Sequence, residues 1–152
     1  MKYLIYFFIL TLLSASEVQI TADKFMANEA KFVSVFTGHV HVTKGSDNLK
    51  ADKIVIDFDK NKKPTKYTAT GNAEANMTIN KKKYFASGET LIYEPNLSRY
   101  TIKKNAFLHE LDTDKKVYGE VIYVDQAKGY YEVESKKNEP VKFIFKIEDK
   151  KN

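Results

Sequence analysis

The stretch that decides the fold is "FTGHVHVTKGSDNLKADKIVIDFD", residues 36–59. Apolar and polar residues alternate on either side of a short turn, Gly45-Ser46-Asp47-Asn48. Such alternation is typical of a β-strand with one buried and one solvated face. Two runs of this kind joined by a Gly/Ser/Asp/Asn turn predict a β-hairpin.

The hairpin pattern returns twice, at an interval of 33 residues. Gly38-His39-Val40 aligns with Gly71-Asn72-Ala73 and with Lys104-Asn105-Ala106. The second run of each unit also recurs and ends in an acid, as "IDFD" (56–59), "LIYE" (91–94) and "IYVD" (122–125). Because one such unit cannot bury its own apolar face, successive units must stack into a continuous sheet.

Strands account for the whole chain after residue 17. The stretch "ADKFMANEAKFV" (22–33) contains good helix formers, but it matches a strand of the repeat and is predicted as strand. Two further strand-like runs follow the third unit, "YYEVES" (130–135) and "PVKFIFKIE" (140–148). About a dozen strands with regular turn signals predict an all-β fold, as an antiparallel sandwich, barrel or jellyroll.

The first sixteen residues have a different pattern. Lys2 precedes a short apolar run that ends in Ser14-Ala15-Ser16, which is typical of a secretory signal and too short for a membrane-spanning helix. We therefore expect a signal peptide at 1–16, cleaved near Ser16, and one domain at 17–152. Without Lys2 the chain has 24 basic and 20 acidic residues, a net charge of +4. The absence of cysteine excludes thiol catalysis, redox chemistry and zinc–thiolate sites.

The polar residues that could act in catalysis or bind a metal ion are explained more simply by structural roles. His39 and His41 are two positions apart, so both would lie on one strand face, where they could bind a metal ion. They align with unlike residues in the other repeats, which favours solvated strand positions instead. Asp59, Glu94 and Asp125 each end a strand, where acids commonly hydrogen-bond the turn backbone. The sequence therefore predicts no enzyme, no cofactor and no metal site.

Lysines gather in the turns, most densely at Lys81, Lys82 and Lys83. One interpretation is a set of solvated turns that protect strand edges from aggregation. The other is a row of cations that contacts phosphate or carboxylate groups. Both remain open at this stage.

Alternation also predicts which residues point inward. They are either a packed core or the lining of a groove for an apolar ligand, and the pattern alone cannot choose. The inward set consists of Val40, Val42, Ile56, Phe58, Ala73, Ala75, Met77, Leu91, Tyr93, Leu108, Ile122 and Val124.

The ordered motifs resemble a known family. "F-T-G-x-V" at Phe36–Val40, "A-D" at Ala51-Asp52, "A-T-G-N" at Ala69–Asn72 and "G-E-x-L-x-Y" at Gly88–Tyr93 together resemble the periplasmic lipopolysaccharide-transport bridge proteins, the LptA or OstA-like type. The resemblance extends from about Ile20 to Phe145.

The resemblance implies a twisted antiparallel β-jellyroll, built from stacked hairpin repeats and open at both ends. It further implies a periplasmic protein that carries lipopolysaccharide from the inner to the outer membrane, with the lipid A acyl chains inside. The partners it implies are an inner-membrane bridge protein, an outer-membrane translocon and further copies joined head to tail. The expected edges for that assembly contain Val18, Ile20, Val141, Phe143 and Phe145.

Other interpretations remain open beside this one. The chain is alternatively the periplasmic domain of another component of the same system, or a structural β-repeat protein with a solid interior. A periplasmic hydrolase or small-ligand barrel is a third possibility, and it would require a cleft with perturbed acids.

Overall fold

The computed structural model of the chain describes residues 17–149, so the predicted signal at 1–16 lies outside it. Between residues 17 and 149, no helix has the length and apolar character needed to cross a membrane. Beside a single 3₁₀ turn, Pro95–Leu97, this part of the chain forms ten strands. They are β1 (Val18–Thr21), β2 (Lys24–Asn28), β3 (Val33–Lys44), β4 (Asp47–Phe58), β5 (Pro64–Ile79), β6 (Lys82–Glu94), β7 (Arg99–Glu110), β8 (Lys115–Asp125), β9 (Tyr130–Glu134) and β10 (Lys142–Ile144).

All ten strands belong to one antiparallel sheet, and long strands that follow one another in sequence are neighbours in it. Its order is β1-β3-β4-β5-β6-β7-β8-β10. At one edge, β1 and β2 both pair with β3, along different halves of it. At the other edge, β9 and β10 both pair with β8, along different halves of it. The two edges do not pair with each other, so the sheet is open, and the prediction of an all-β jellyroll open at both ends is confirmed.

Each long strand is interrupted near its middle by a β-bulge. The register between β3 and β4 shifts between Thr37 and Val40, and corresponding shifts interrupt the other pairs as far as β8. Bulges bend a strand and increase its twist. The first two of the three aligned positions have left-handed backbone in every unit, at Gly38 (φ 82°), His39 (47°), Gly71 (85°), Asn72 (46°), Lys104 (62°) and Asn105 (53°). Each copy of the sequence repeat therefore contains one bend of the sheet.

An aspartate lies against the glycine of the first two bends. A Cβ atom at Gly38 would collide with the Asp23 side chain, and one at Gly71 would collide with Asp52. The backbone N–H of Asp23 also donates a hydrogen bond to the Gly38 carbonyl oxygen at 2.9 Å. Glycine is thus required at both places by backbone conformation and by close contact.

The bends divide the sheet into two arms, whose inner faces pack together near the bends. Val40 and Ala51 on one arm share a buried cluster with Ile54, Ile56 and Ala69 on the other. Arm A contains β2, β9 and residues 33–37, 53–58, 64–70, 90–94, 99–103 and 121–125. Arm B contains β1, β10 and residues 40–44, 47–51, 73–79, 82–88, 106–110 and 115–119.

The structure corrects three details of the sequence prediction. Residues 22–33 are not one strand, because a turn with Phe32 at φ 53° separates β2 from β3. The last strand is Lys142–Ile144 rather than 141–147, because its pairing with β8 extends only from Lys142–Tyr118 to Ile144–Lys116. The described residues therefore contain ten strands and not about a dozen.

Candidate functional site

The inner face of the bent sheet carries every residue of the predicted inward set. Directly paired residues of antiparallel strands lie on the same face, so the register identifies rows of inner residues that cross the sheet. One row on arm B runs through Val42, Leu49, Ala75, Ala86, Leu108 and Val117. The row is apolar from β3 to β8. The structure thus places these residues on one continuous surface, whereas lipid contact at each of them stays a prediction.

Burial of the inner face decreases away from the bends. Within residues 17–149, six of the eleven buried apolar residues are alanines: Ala51, Ala69, Ala73, Ala75, Ala86 and Ala106. Small side chains let the two arms approach closely where the strands bend. Farther out, Val42, Phe58 and Leu108 pack against the buried clusters but are only half-buried, as is Leu91 beside the bend of β6. The interior is therefore a solid wedge at the bends and an apolar groove with partly exposed walls beyond them.

Several inner residues escaped the sequence interpretation. Ala51 and Ile54 both point inward although they are three positions apart, because the register shift at Asp52, which pairs with neither neighbouring strand, changes the alternation. Phe36 and Ile102 are inner residues of the same arm as Ile54. The repeated Ala-Asp and Thr-Gly pairs are the signals in the sequence that mark where the alternation changes.

Tyrosines form a row on the inner face of arm A. The register pairs Ile56, Tyr67, Tyr93, Tyr100, Val124 and Tyr131 successively across β4 to β9. The ring centroids of Tyr67 and Tyr93 are 6.0 Å apart, and those of Tyr93 and Tyr100 are 4.7 Å apart, with stacked rings in both pairs. We call Tyr67, Tyr93 and Tyr100 the tyrosine row.

Burial raises the pKa of two members of the tyrosine row, Tyr67 and Tyr100. It raises the pKa of Tyr67 above the ordinary value of 10.0, and the neighbouring Tyr93 adds to that shift. Burial also raises the pKa of Tyr100, strongly, with further contributions from Tyr93 and from Asp47 of arm B. Both hydroxyls therefore remain hydrogen-bond donors at any physiological pH.

The inner face of arm B carries a carboxylate near its outer end. Tyr84 and Glu110 form a pair on its inner face. Glu110 Oε1 is buried, has no hydrogen-bond partner within residues 17–149 and lies 3.4 Å from Lys82 Nζ. Of the predicted anion-contact lysines, Lys82 is thus engaged with a carboxylate. Lys81 forms the β5–β6 turn with φ 67°, and Lys83 is exposed at the start of β6.

Of the three strand-end acids predicted to hydrogen-bond turn backbone, Asp59 and Asp125 do so, whereas the Glu94 side chain does not cap the 3₁₀ turn that follows it. Asp59 Oδ1 accepts hydrogen bonds from the N–H groups of Asn61 (2.8 Å) and Lys63 (3.0 Å). Asp125 Oδ1 accepts one from the N–H of Lys128 at 3.1 Å, and Arg99 Nε lies 3.2 Å from its Oδ2. These acids therefore have structural partners.

Two of the three histidines each pair with a single acid. His39 Nδ1 lies 2.8 Å from Asp23 Oδ2, and His109 Nε2 lies 2.7 Å from Asp114 Oδ1. Lys146 Nζ reaches the other Asp114 oxygen at 3.1 Å. In the part of the chain that the structure describes, no group of three or more His, Cys, Asp or Glu residues is placed to hold a metal ion.

The predicted assembly residues lie at the two edges of the sheet or beside them. Val18 and Ile20 are in β1 at one edge, and Phe143 is in β10 at the other, while Val141 and Phe145 flank β10. Large apolar side chains are exposed at both edges, including Val18 (54%), Phe143 (56%) and Phe145 (59%). Assembly through these edges stays a prediction.

Comparison with known proteins agrees with this architecture. Residues 19–130 match the family described as the LptA/(LptD N-terminal domain) LPS transport protein. No curated protein matches the chain. Among solved structures, the chain is similar to LptH from Pseudomonas aeruginosa, described as the LptA homologous periplasmic component of the lipopolysaccharide transport device. That match has a TM-score of 0.72 and 20% identity, covers 86% of this chain and 96% of LptH, and shows a shared fold. Since the family match spans most of the chain, this protein belongs to the LptA/LptD N-terminal domain family of lipopolysaccharide transport proteins.

Proposed function

We propose that this protein binds lipopolysaccharide by its acyl chains along the inner face of the bent sheet and carries it from the inner to the outer membrane. The observation that supports this most directly is the apolar inner face, which is continuous from β3 to β8 and only half-buried away from the bends. A large exposed apolar surface marks a binding site rather than a finished core.

The energetics of acyl chains favour a continuous groove. Removing one CH₂ group from water contributes about 0.8 kcal/mol. An acyl chain that left the membrane for water, with no protein surface to cover it, would lose that contribution at every CH₂ group. A groove that offers apolar contacts throughout keeps this cost low at each position along the path. Because rows of apolar side chains cross successive strands, the lipid has equivalent contacts wherever it lies.

The setting of this function follows from the family and from the predicted leader. The protein acts in the periplasm, between an inner-membrane bridge protein and an outer-membrane translocon. Copies of the chain join head to tail, β1 and β2 of one copy beside β9 and β10 of the next, since unpaired strand edges accept further strands. Lys81 and Lys83, at the outer end of arm B, contact phosphate groups of the lipid.

Photo-crosslinking tests the lipid path. A photo-crosslinking residue at Val42, Phe58 or Leu91 is expected to capture lipopolysaccharide in living cells, because these side chains line the groove.

The matched controls are sequence neighbours on the outer face. His41 pairs with Lys50, and Asp57 with Lys66, on the surface opposite to Val42 and Phe58. A crosslinker at His41 or Asp57 is expected to capture no lipid. Equal capture on both faces, or capture on neither, would contradict the proposed path.

A further inference from the structure

The tyrosine row lies at the boundary between the apolar groove and the solvent. Two residues closer to the bends, the same strands carry Ala69 (2% exposed), half-buried Leu91 and Ile102 (5% exposed). Toward the solvent, β6 ends at Glu94 and β7 begins at Arg99, so Tyr93 and Tyr100 occupy the last inner positions of these strands. On β5, β6 and β7, the inner face of arm A thus changes from aliphatic to phenolic at one depth.

A phenolic ring suits such a boundary, because its body is apolar and its hydroxyl is polar. Tyrosine collects at membrane interfaces for the same reason. The ring centroids follow one another at 6.0 Å and 4.7 Å, so the row offers one phenol on each of β5, β6 and β7. Acyl chains that pack side by side in the groove would bring their polar ends to the same depth.

The charges around the tyrosine row indicate which kind of hydrogen-bond acceptor in a ligand its hydroxyl groups would bind. Asp47 of arm B is close enough to Tyr100 to act on its ionisation, and its carboxylate disfavours a nearby phosphate. Arg99 and Lys66, the basic residues beside the row in sequence, lie on the outer face in register with Asp125 and Asp57. Neutral acceptors therefore fit the row better than anions do.

We propose that the hydroxyls of Tyr67, Tyr93 and Tyr100 bind the ester and amide carbonyls that join the acyl chains of lipopolysaccharide to its glucosamine units. This subsite rests on the proposed function, since it requires acyl chains in the groove. It fixes how deeply the lipid enters the groove along β5, β6 and β7. The hydrocarbon lies between the tyrosine row and the bends, and the sugar lies on the solvent side of the row.

The test removes the hydroxyls and keeps the rings. In the protein purified from the periplasm of cells expressing the full chain, the triple variant Tyr67→Phe, Tyr93→Phe, Tyr100→Phe is expected to bind lipid A about tenfold more weakly than the natural protein, since each neutral hydrogen bond contributes modestly. It is expected to bind diphenylhexatriene, a hydrocarbon probe without carbonyl groups, as tightly as before.

The control is the double variant Tyr118→Phe, Tyr123→Phe, which removes two hydroxyls from the outer face. It is expected to bind both probes like the natural protein. Equal affinity of the natural protein and the triple variant for lipid A would overturn the subsite but not the proposed function. Loss of both probes by the triple variant, or failure to fold, would show a packing role and would also overturn the subsite. A natural protein that binds neither probe would overturn the proposed function itself.

Discussion

At the scale of single residues, the bends depend on a few positions with unusual backbone. Gly38 and Gly71 combine positive φ with an aspartate side chain in the space where a Cβ would lie. Lys104 occupies the aligned position of the third repeat with φ 62°, so that bend stores conformational strain that glycine would relieve. The residue type at each bend thus reflects how closely the neighbouring strand approaches.

Substitution of Gly71 by alanine is expected to lower the free energy of unfolding by about 2–4 kcal/mol, because left-handed strain and the collision with Asp52 act together. Denaturant unfolding measures this change. The matched control is Gly45→Ala, where φ is +59° and nothing lies within 4 Å of the added Cβ. There the loss is expected to stay near 1 kcal/mol. Equal losses at the two glycines would show that close contact at the bend contributes nothing.

A second prediction at this scale concerns His39. Its hydrogen bond to Asp23, reinforced by the charge of that carboxylate, raises the pKa of His39 above 6.5. The pair therefore contributes to the free energy of unfolding. This contribution is fully present below the pKa that His39 has in the unfolded chain, and it is lost as pH rises through the pKa of His39 in the folded protein. An NMR titration of the imidazole is expected to show a lower pKa after Asp23→Asn.

The comparison variant for His39 is Asp52→Asn. Asp52 acts on His39 only through its charge, and it is the smallest of the contributions that raise this pKa. Its removal is therefore expected to lower the pKa less than removal of Asp23 does. A larger effect of Asp52→Asn would contradict the assigned hydrogen bond.

At the scale of strands, both edges of the sheet end in short strands. β1 and β2 pair with two parts of β3, and β9 and β10 with two parts of β8, where β10 forms only three residue pairs. Lys142 lies over the Tyr118 ring at 5.1 Å, and Lys146 pairs with Asp114. A short exposed strand held by peripheral contacts leaves an edge to which another strand can add.

Deletion of residues 141–152 is expected to leave a folded β protein that no longer forms head-to-tail filaments, because it removes β10 and the exposed Phe143 and Phe145. Sedimentation over a range of concentrations measures the loss. Deletion of 148–152 alone is the control, and it is expected to preserve elongation. Stronger association of the longer deletion would instead mean that β10 caps the edge of β8.

At the scale of the whole molecule, an open sheet makes the groove extensible. The inner face reaches both edges, and neither edge pairs with the other. A head-to-tail contact between two copies has no closing symmetry, so it produces chains of variable length. In such a chain the apolar inner faces would join into one path, longer than a single copy provides.

Within each half of a strand, the sequence alone determined which residues share a face, since a strand alternates with period 2 and the repeat keeps that alternation in phase between units. It also carried the motifs of the family and marked both terminal strands. Only the tertiary structure decided that strands such as β4 bend at a bulge, which places Ala51 and Ile54 on the same side, and that the last strand stops at Ile144. It alone brought Tyr67, Tyr93 and Tyr100 into one row, because residues far apart in sequence meet only through register. Whether apolar side chains fill a core or line a groove depends on the distance between two arms, and alternation within one strand contains no information about that distance.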